Sequence, residues 1–343
     1  MKALVLKEYN RLTYEEVPDP EPAAGEVLIK VAACGICGSD VHGMDGSTGR
    51  RIPPLVMGHE AAGVIEALGS AVTGWKNGER VTFDSTIYCG SCWHCRRGEI
   101  NLCDSRRVLG VSCDEYRRDG AFAEYVTVPA HILYRLPEGI TFEQATLVET
   151  LSIAAHGVYR LSPHLGDSVV VVGAGMIGLL VVQVLKAAGC ALVVAVDVAP
   201  ERLELARRLG ADVGLDPSRD DVRNRLRELT GGRGADGAVE AFGSTSAIRT
   251  AVSAVRKGAT LALIGNVSPN VELPLQSIVT REISVNGSCA SRGEYPAAID
   301  LIARKAVDVD SLISATVPLS EGVGWFRRLY EKEKGLIKVI LNP

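Results

Sequence analysis

Four cysteines, Cys89, Cys92, Cys95 and Cys103, follow the spacing C-x2-C-x2-C-x7-C. Four thiolates converging around one short loop satisfy tetrahedral Zn2+ and leave it no open position, which describes a structural site. A redox pair needs two cysteines rather than four, so ligation is the better reading. His94 lies inside the same loop and is expected to be a solvated bystander, because four sulfurs complete the coordination. Outside a disulfide-rich secreted scaffold, crowding of this kind points to metal binding.

A second chemical signal is Gly173-Ala174-Gly175-Met176-Ile177-Gly178, which matches G-x-G-x-x-G. On its own the string is weak. Here it follows a β-branched run, opens a helical stretch and precedes Asp197 at the end of the next apolar run, the context of a dinucleotide-binding turn. Gly173 permits the tight turn, Gly175 lets backbone approach a pyrophosphate, and Gly178 lets the helix pack closely on its strand. The helix N-terminus, with Met176 and Ile177, offers free N–H groups to phosphates. Asp197 accepts hydrogen bonds from a ribose 2′-hydroxyl but repels a 2′-phosphate, and no arginine follows before Arg202, so NAD is expected over NADP.

A third set is dispersed: Cys37 in CGICGSDVH, His59 and Glu60 in GHE, and Glu149 in LVET. Separately, each suits a surface or hydrogen-bonded core position. Beside a dinucleotide site, a Cys/His/carboxylate set offers a catalytic zinc three protein ligands and an open position. One thiolate and one carboxylate balance the ion's charge and leave it able to stabilise an alkoxide.

The elements that must position these residues fall into two regions. Residues 1–150 carry short apolar runs, Val27 to Ala32, Gly63 to Ala67 and Val81 to Phe83, separated by turn chemistry such as Asn77-Gly78 and Pro53-Pro54. A barrel or sandwich is expected there. From about residue 150 the rhythm becomes strand–helix–strand, starting with Ser168 to Val172 and Ala191 to Val196. Helices are expected near 200–209, 219–230, 245–256 and 295–305, with strands near Ala238 to Ala241, Thr260 to Gly265 and Ile283 to Gly287. That alternation implies a doubly wound parallel sheet.

The chain has 343 residues, a formal charge of −4, 47% hydrophobic and 23% charged residues. This argues for two domains with substantial cores, against wholesale disorder, and against nucleic acid as a partner. The uncharged run Ser168 to Leu185 is broken by glycines and is too short for a membrane span of about 20 residues. The N-terminal apolar stretch ends at Lys7, so no export signal is read and a cytoplasmic location is expected.

CGICGSDVH, GHEAAGVIEALG, the four-cysteine loop, DGAFAEYVTVP, VVGAGMIGLL and DVAPERLELARRLGAD together resemble the zinc-containing medium-chain dehydrogenase/reductase family. Within it, the chain looks most like the sorbitol (L-iditol), L-threonine, galactitol-phosphate and sugar-acid dehydrogenase branch. The resemblance implies an α/β fold: a GroES-like β-rich catalytic domain at 1–154 and 290–343, with a structural zinc lobe at 89–103, and a Rossmann NAD-binding domain at 155–289. It implies an active site in the cleft between them, about two zinc ions per chain, a small-molecule polyol or sugar-derived substrate, no membrane partner, and a homo-oligomer, dimer or tetramer, pairing near Ile283 to Gly287.

By that resemblance, Cys37, His59 and Glu60 match the catalytic-zinc positions, and Glu149 a further acidic residue binding the metal directly or through water. Asp40 matches a partner that orients His59, and Ser39 and His42 match a proton relay. Lys338 matches a basic position toward the pyrophosphate, and Arg202 is grouped with the cofactor residues. The expected reaction is reversible oxidation of a secondary alcohol to a ketone with hydride transfer to NAD. The alternatives are an L-threonine 3-dehydrogenase and a catalytically silent zinc and nucleotide-binding protein.

Departures bear on substrate. Thr150 stands where this branch usually has proline, and Ala290 where sorbitol dehydrogenases carry an arginine. The arginine pairs 50–51, 106–107 and 117–118 are expected as solvated rims, with recognition of a phosphate or carboxylate as the other reading. Cys34, Cys113, Cys190 and Cys289 are expected as small packed residues, Cys289 being also a weaker cleft candidate, and His131, His156 and His164 as structural.

Overall fold

A computed structural model describes all 343 residues. They divide into two units: Met1–Thr150 with Tyr295–Ala303 and Val309–Pro343, and Leu151–Glu294 with Arg304–Asp308. The division falls within the helix Phe142–Leu161.

The first unit is built on a seven-stranded, largely antiparallel sheet. Its order is Leu133–Arg135, Arg80–Phe83, Glu60–Leu68, Glu26–Gly35, Lys338–Asn342, Ile313–Pro318, with Tyr125–Pro129 also paired to Glu26–Gly35. Along Glu26–Gly35 the residues Val27, Ile29, Val31 and Ala33 are buried, the period-two pattern of a strand with one face on the core. Phe83, Phe122, Phe326 and Met57 fill that core, with Phe122 and Phe326 meeting edge to face at 5.5 Å. The C-terminal strand Lys338–Asn342 runs antiparallel to Glu26–Gly35 and parallel to Ile313–Pro318, which ties the chain's tail to this unit.

Two register facts position the site. Gly35 opposes both Glu60 and Ile340, and the Ile36 N–H donates to Val339 O at 2.9 Å. The strand ends bearing Cys37, Glu60 and Lys338 are therefore drawn together from three distant parts of the sequence.

The second unit is a six-stranded sheet, parallel throughout, in the order Val213–Leu215, Leu192–Val196, Ser168–Val172, Ala235–Glu240, Val255–Leu263, Ser284–Gly287. This is the doubly wound order, reversing direction beside Ser168–Val172. Val169 to Val172 and Val193 to Val196 are all buried, as strands covered on both faces must be. The fifth strand starts at Val255, earlier than the sequence suggests. Its pairing jumps from Ala235↔Val255 to Gly237↔Thr260, so the exposed Lys257 and Gly258 read as a loop while the strand is bulged through them. No helix of either unit is long and apolar enough to cross a membrane.

Candidate active site

Cys37 caps the short helix Gly38–Gly43. Its Sγ accepts from the Ser39 N–H at 3.5 Å and from Ser39 Oγ at 3.2 Å. His59 and Glu60 enter the strand Glu60–Leu68 from Gly58, whose φ is +98° and where a Cβ would lie 2.8 Å from Phe122 N. Only glycine fits that corner, and the corner turns both side chains the same way.

The ligand atoms of Cys37, His59 and Glu60 lie within 4.8 Å of one another. His59 Nδ1 faces Asp40 Oδ2 at 3.5 Å, the two being buried without a closer hydrogen-bond partner, an arrangement that leaves Nε2 available to a metal. Glu60 accepts from Thr150 Oγ1 at 2.9 Å on Oε1 and from Lys338 Nζ on Oε2; each oxygen keeps a further lone pair. A thiol, an imidazole and a carboxylate so placed fit a tetrahedral ion with one position open. Glu149 stands outside this three-residue set and accepts from Ser85 Oγ at 3.1 Å.

The electrostatics are those of a buried charged cluster. Burial pushes the Glu149 carboxyl up to about 7, with Glu60 and Asp84 adding to the rise and His59 and Lys338 opposing it. Burial also works against an ionised Asp40, but His59 and Arg51 outweigh it and hold the carboxyl at about 2. For Lys338 burial disfavours the ammonium, and Glu60, Cys37 and Glu149 reverse the balance to raise its pKa.

The four-cysteine loop is equally ordered. The Sγ atoms of Cys89, Cys92, Cys95 and Cys103 lie within 4.8 Å of each other, with Cys89 and Cys95 4.0 Å apart. Zinc–sulfur bonds of about 2.3 Å in tetrahedral array separate sulfurs by roughly 3.8 Å, so the set fits a closed zinc site. Backbone N–H groups of Ser91 and Cys92 reach Cys89 Sγ, which with the Ser91 hydroxyl lower that thiol to about 6. His94 turns aside, its Nδ1 3.0 Å from Glu99 Oε2.

In the second unit, Gly173 has φ +95° and a Cβ on Gly178 would fall 1.8 Å from Gly173 O. Turn and helix are thus in backbone contact, and the helix Met176–Ala187 starts at Gly175 with no side-chain cap on its N–H groups. Gly175 faces open space, and Met176 and Ile177 are half-buried. Asp197 Oδ2 accepts from Ala174 N at 2.8 Å, Oδ1 from Ala199 N at 2.9 Å, and Arg202 stands 3.9 Å away. Gly173, Asp197, Val198 and Arg202 line a pocket of about 470 Å³.

Several expectations need correcting. Lys338 does not stand free for a phosphate: it is buried and its ammonium is committed to Glu60 and to Ile36 O at 3.2 Å. Arg51 is not a solvated rim residue but is buried against Asp40 at 2.8 Å. In the other pairs too one member turns inward, Arg118 to Glu26 at 2.7 Å and Arg106 to Asn101 O at 3.0 Å. Cys34 and Cys190 are packed, whereas Cys289 is exposed and Cys113 is half-buried with its Sγ 3.0 Å from Glu115. His156 is buried with Nδ1 2.8 Å from Glu294, His131 Nε2 lies 3.1 Å from Tyr88 O, and His164 is exposed. Ser39 and His42 are exposed on the helix Gly38–Gly43. Ser85 was not singled out in the sequence, and the supporting roles of Arg51 and Thr150 were not read from it. Only Thr150 carried a signal, as a hydroxyl beside an acid in an apolar helix.

A unit with two metal-ligand constellations and a parallel-sheet unit with a glycine-rich phosphate turn together define a metal-dependent, nucleotide-linked oxidoreductase. Residues 23–138 match the alcohol dehydrogenase GroES-like domain and residues 177–304 the zinc-binding dehydrogenase domain. The chain is 33% identical to sorbitol dehydrogenase of Bacillus subtilis, covering 100% of this chain and 97% of that protein. It is 33% identical to D-arabitol-phosphate dehydrogenase of Enterococcus avium, with 98% and 95% covered. A zinc-binding dehydrogenase from Sinorhizobium meliloti, solved bound to NADP, superposes with a TM-score of 0.91 at 32% identity, covering 100% and 99%. The chain belongs to the zinc-binding alcohol dehydrogenase family, and it is an enzyme of that class.

Proposed function

We propose that this enzyme reversibly oxidises a secondary alcohol of a polyol, sugar alcohol or sugar acid, with or without a phosphate, to the ketone, using NAD and two zinc ions per chain. The observation that carries the proposal is the convergence of Cys37, His59 and Glu60, with Asp40 behind the imidazole. Zinc held by these three residues supplies Lewis acidity to a substrate hydroxyl, and the nicotinamide supplies hydride chemistry.

The chain's own groups do the rest. Asp40 fixes the tautomer of His59, keeping Nε2 as the ligating atom. Thr150 and Lys338 hold both Glu60 oxygens. Ser39, with its hydroxyl 3.2 Å from Cys37 Sγ in the resting site, would accept the substrate's proton while releasing its own toward His42, exposed on the same short helix, which hands it to water. Glu149 lies outside the set of three and is assigned to the metal as a further acidic residue, binding directly or through water. The four cysteines of 89–103 hold the second zinc and staple their loop.

The acidic Asp197 in its pocket supports NAD, although the Sinorhizobium relative was solved with NADP. Polyol and polyol-phosphate dehydrogenases among the relatives support the substrate class, and Ala290 argues against strict sorbitol specificity. Nine cysteines without a disulfide suit a reducing, cytoplasmic setting. The edge strand Ser284–Gly287 is the surface through which we assign homo-oligomer formation, a dimer or tetramer.

The test is a panel of polyols, polyol phosphates, aldonates and L-threonine, with NAD and NADP, followed by NADH or NADPH absorbance, alongside metal analysis. NAD reduction with a polyol or aldonate and about two zinc per chain is expected. Turnover of L-threonine alone would replace the substrate class, and nucleotide binding without turnover of any of these would remove the proposed activity.

A further inference from the structure

Arg51 is buried, and its hydrogen bonds run to Asp40, Ser39 and Arg50 rather than to Cys37, His59 or Glu60. Its Nε and Nη2 donate to Asp40 Oδ1 at 3.1 and 2.8 Å, its Nη2 also to Ser39 Oγ at 3.3 Å, and its Nη1 to Arg50 O at 2.9 Å. All three guanidinium nitrogens are thus engaged, at 4% exposure.

Both side-chain partners lead to a ligand. Ser39 Oγ lies 3.2 Å from Cys37 Sγ, and Asp40 presents its other oxygen to His59 Nδ1 at 3.5 Å. A single planar cation therefore stands behind the thiol through one partner and behind the imidazole through another. Because Arg51 occupies Oδ1, Asp40 has Oδ2 left for His59. Because Nη2 donates to Ser39 Oγ, the Ser39 proton is directed to sulfur.

The fold makes room for this. Gly43, on the helix carrying Ser39 and Asp40, would place a Cβ 2.4 Å from Arg51 Cγ, so a larger residue there would displace the arginine's stem. The backbone at Arg51 is held by a bridge to Ser112, with Ile52 N donating to Ser112 O at 3.1 Å. A long charged side chain kept this still, with its charge fully paired, acts as a fixed strut.

We propose that Arg51 is a positioning residue for the metal-binding side chains, bracing Cys37 through Ser39 and His59 through Asp40. The inference rests on the reading that Cys37, His59 and Glu60 hold a metal ion.

The test compares wild type, Arg51→Met and Arg51→Lys. It measures zinc affinity of this site by chelator competition, the visible spectrum after Co2+ replaces zinc here, the retention of zinc at the four-cysteine loop, and the thermal midpoint. Arg51→Met should weaken metal binding about 10- to 100-fold, the range for losing a residue that orients a ligand, shift the cobalt bands, and leave the four-cysteine zinc in place. Arg51→Lys should recover only part of the loss, since one ammonium lacks the planar fork that serves both arms. Affinity within twofold of wild type and superimposable cobalt spectra in Arg51→Met would overturn the proposal. If that variant does not fold, Arg51→Lys decides: wild-type affinity and spectrum there would overturn it equally. Wild type that binds no metal beyond the four-cysteine ion would overturn the proposed function itself, an outcome distinct from two ions bound alike by wild type and variants.

Discussion

Thr150 Oγ1 donates to Glu60 Oε1 at 2.9 Å across 90 residues of sequence, both side chains buried, while Lys338 Nζ holds the other carboxylate oxygen. Glu60 is thereby fixed by two donors from a helix and from the C-terminal strand. Removing one donor leaves a neutral polar gap, but removing the other leaves an unpaired buried charge. Lys338→Met should therefore cost about 3–5 kcal/mol and Thr150→Val about 1–2 kcal/mol, read from urea unfolding of the two variants. Equal costs would mean that the ammonium does not neutralise Glu60.

Asp197 has a second task besides its expected one at the ribose. Its two oxygens accept the N–H groups of Ala174 and Ala199, so it also pins the glycine-rich turn. Asp197→Ser should lower kcat/KM with NAD and raise the NADP/NAD ratio at least about tenfold, by removing the repulsion of a 2′-phosphate. An unchanged ratio with a lower Tm would assign the residue to the turn alone.

The four cysteines are proposed to hold zinc as a unit. Cys103 reaches back from the end of the loop to accept the Cys89 N–H at 3.3 Å, so losing its sulfur opens both the ligand set and the closure. Cys103→Ser should remove one zinc per chain by elemental analysis and make residues 89–103 a preferred site of limited proteolysis. Full zinc content in this variant would contradict ligation by the fourth cysteine.

Asp236 provides a pH-dependent brace in the second unit. Burial disfavours its charge, but Arg256 Nε at 2.8 Å and Ser168 N and Oγ at 2.9 and 2.7 Å outweigh burial and lower the carboxyl from 3.8 to about 2. A folded-state pKa below the unfolded value means stabilisation that is complete above about pH 4 and lost as pH falls toward 2. Asp236→Asn should cost roughly 1–2 kcal/mol at pH 6 after allowance for solvent screening, the gap to wild type closing by pH 2 in urea titrations. A gap that stayed constant with pH would show that the carboxylate's charge is not what stabilises.

The sequence by itself determined the parts whose chemistry is local. The four cysteines lie within one loop, and the turn Gly173 to Gly178 is flanked directly by its strand and helix, so spacing alone specified what each could hold. The parallel sheet was legible for a related reason: Val169 to Val172 and Val193 to Val196 are covered on both faces and read as unbroken apolar runs. Tertiary structure decided which distant side chains support the ligands. Lys338 reaches Glu60 because its strand pairs beside Glu26–Gly35, and Arg51 reaches Asp40 because Gly43 lacks a side chain. Register across strands and the space left by a missing Cβ are properties of several segments at once, and buried charge is tolerated only where all of them agree. A sequence pattern reports the residue, and packing supplies its partner.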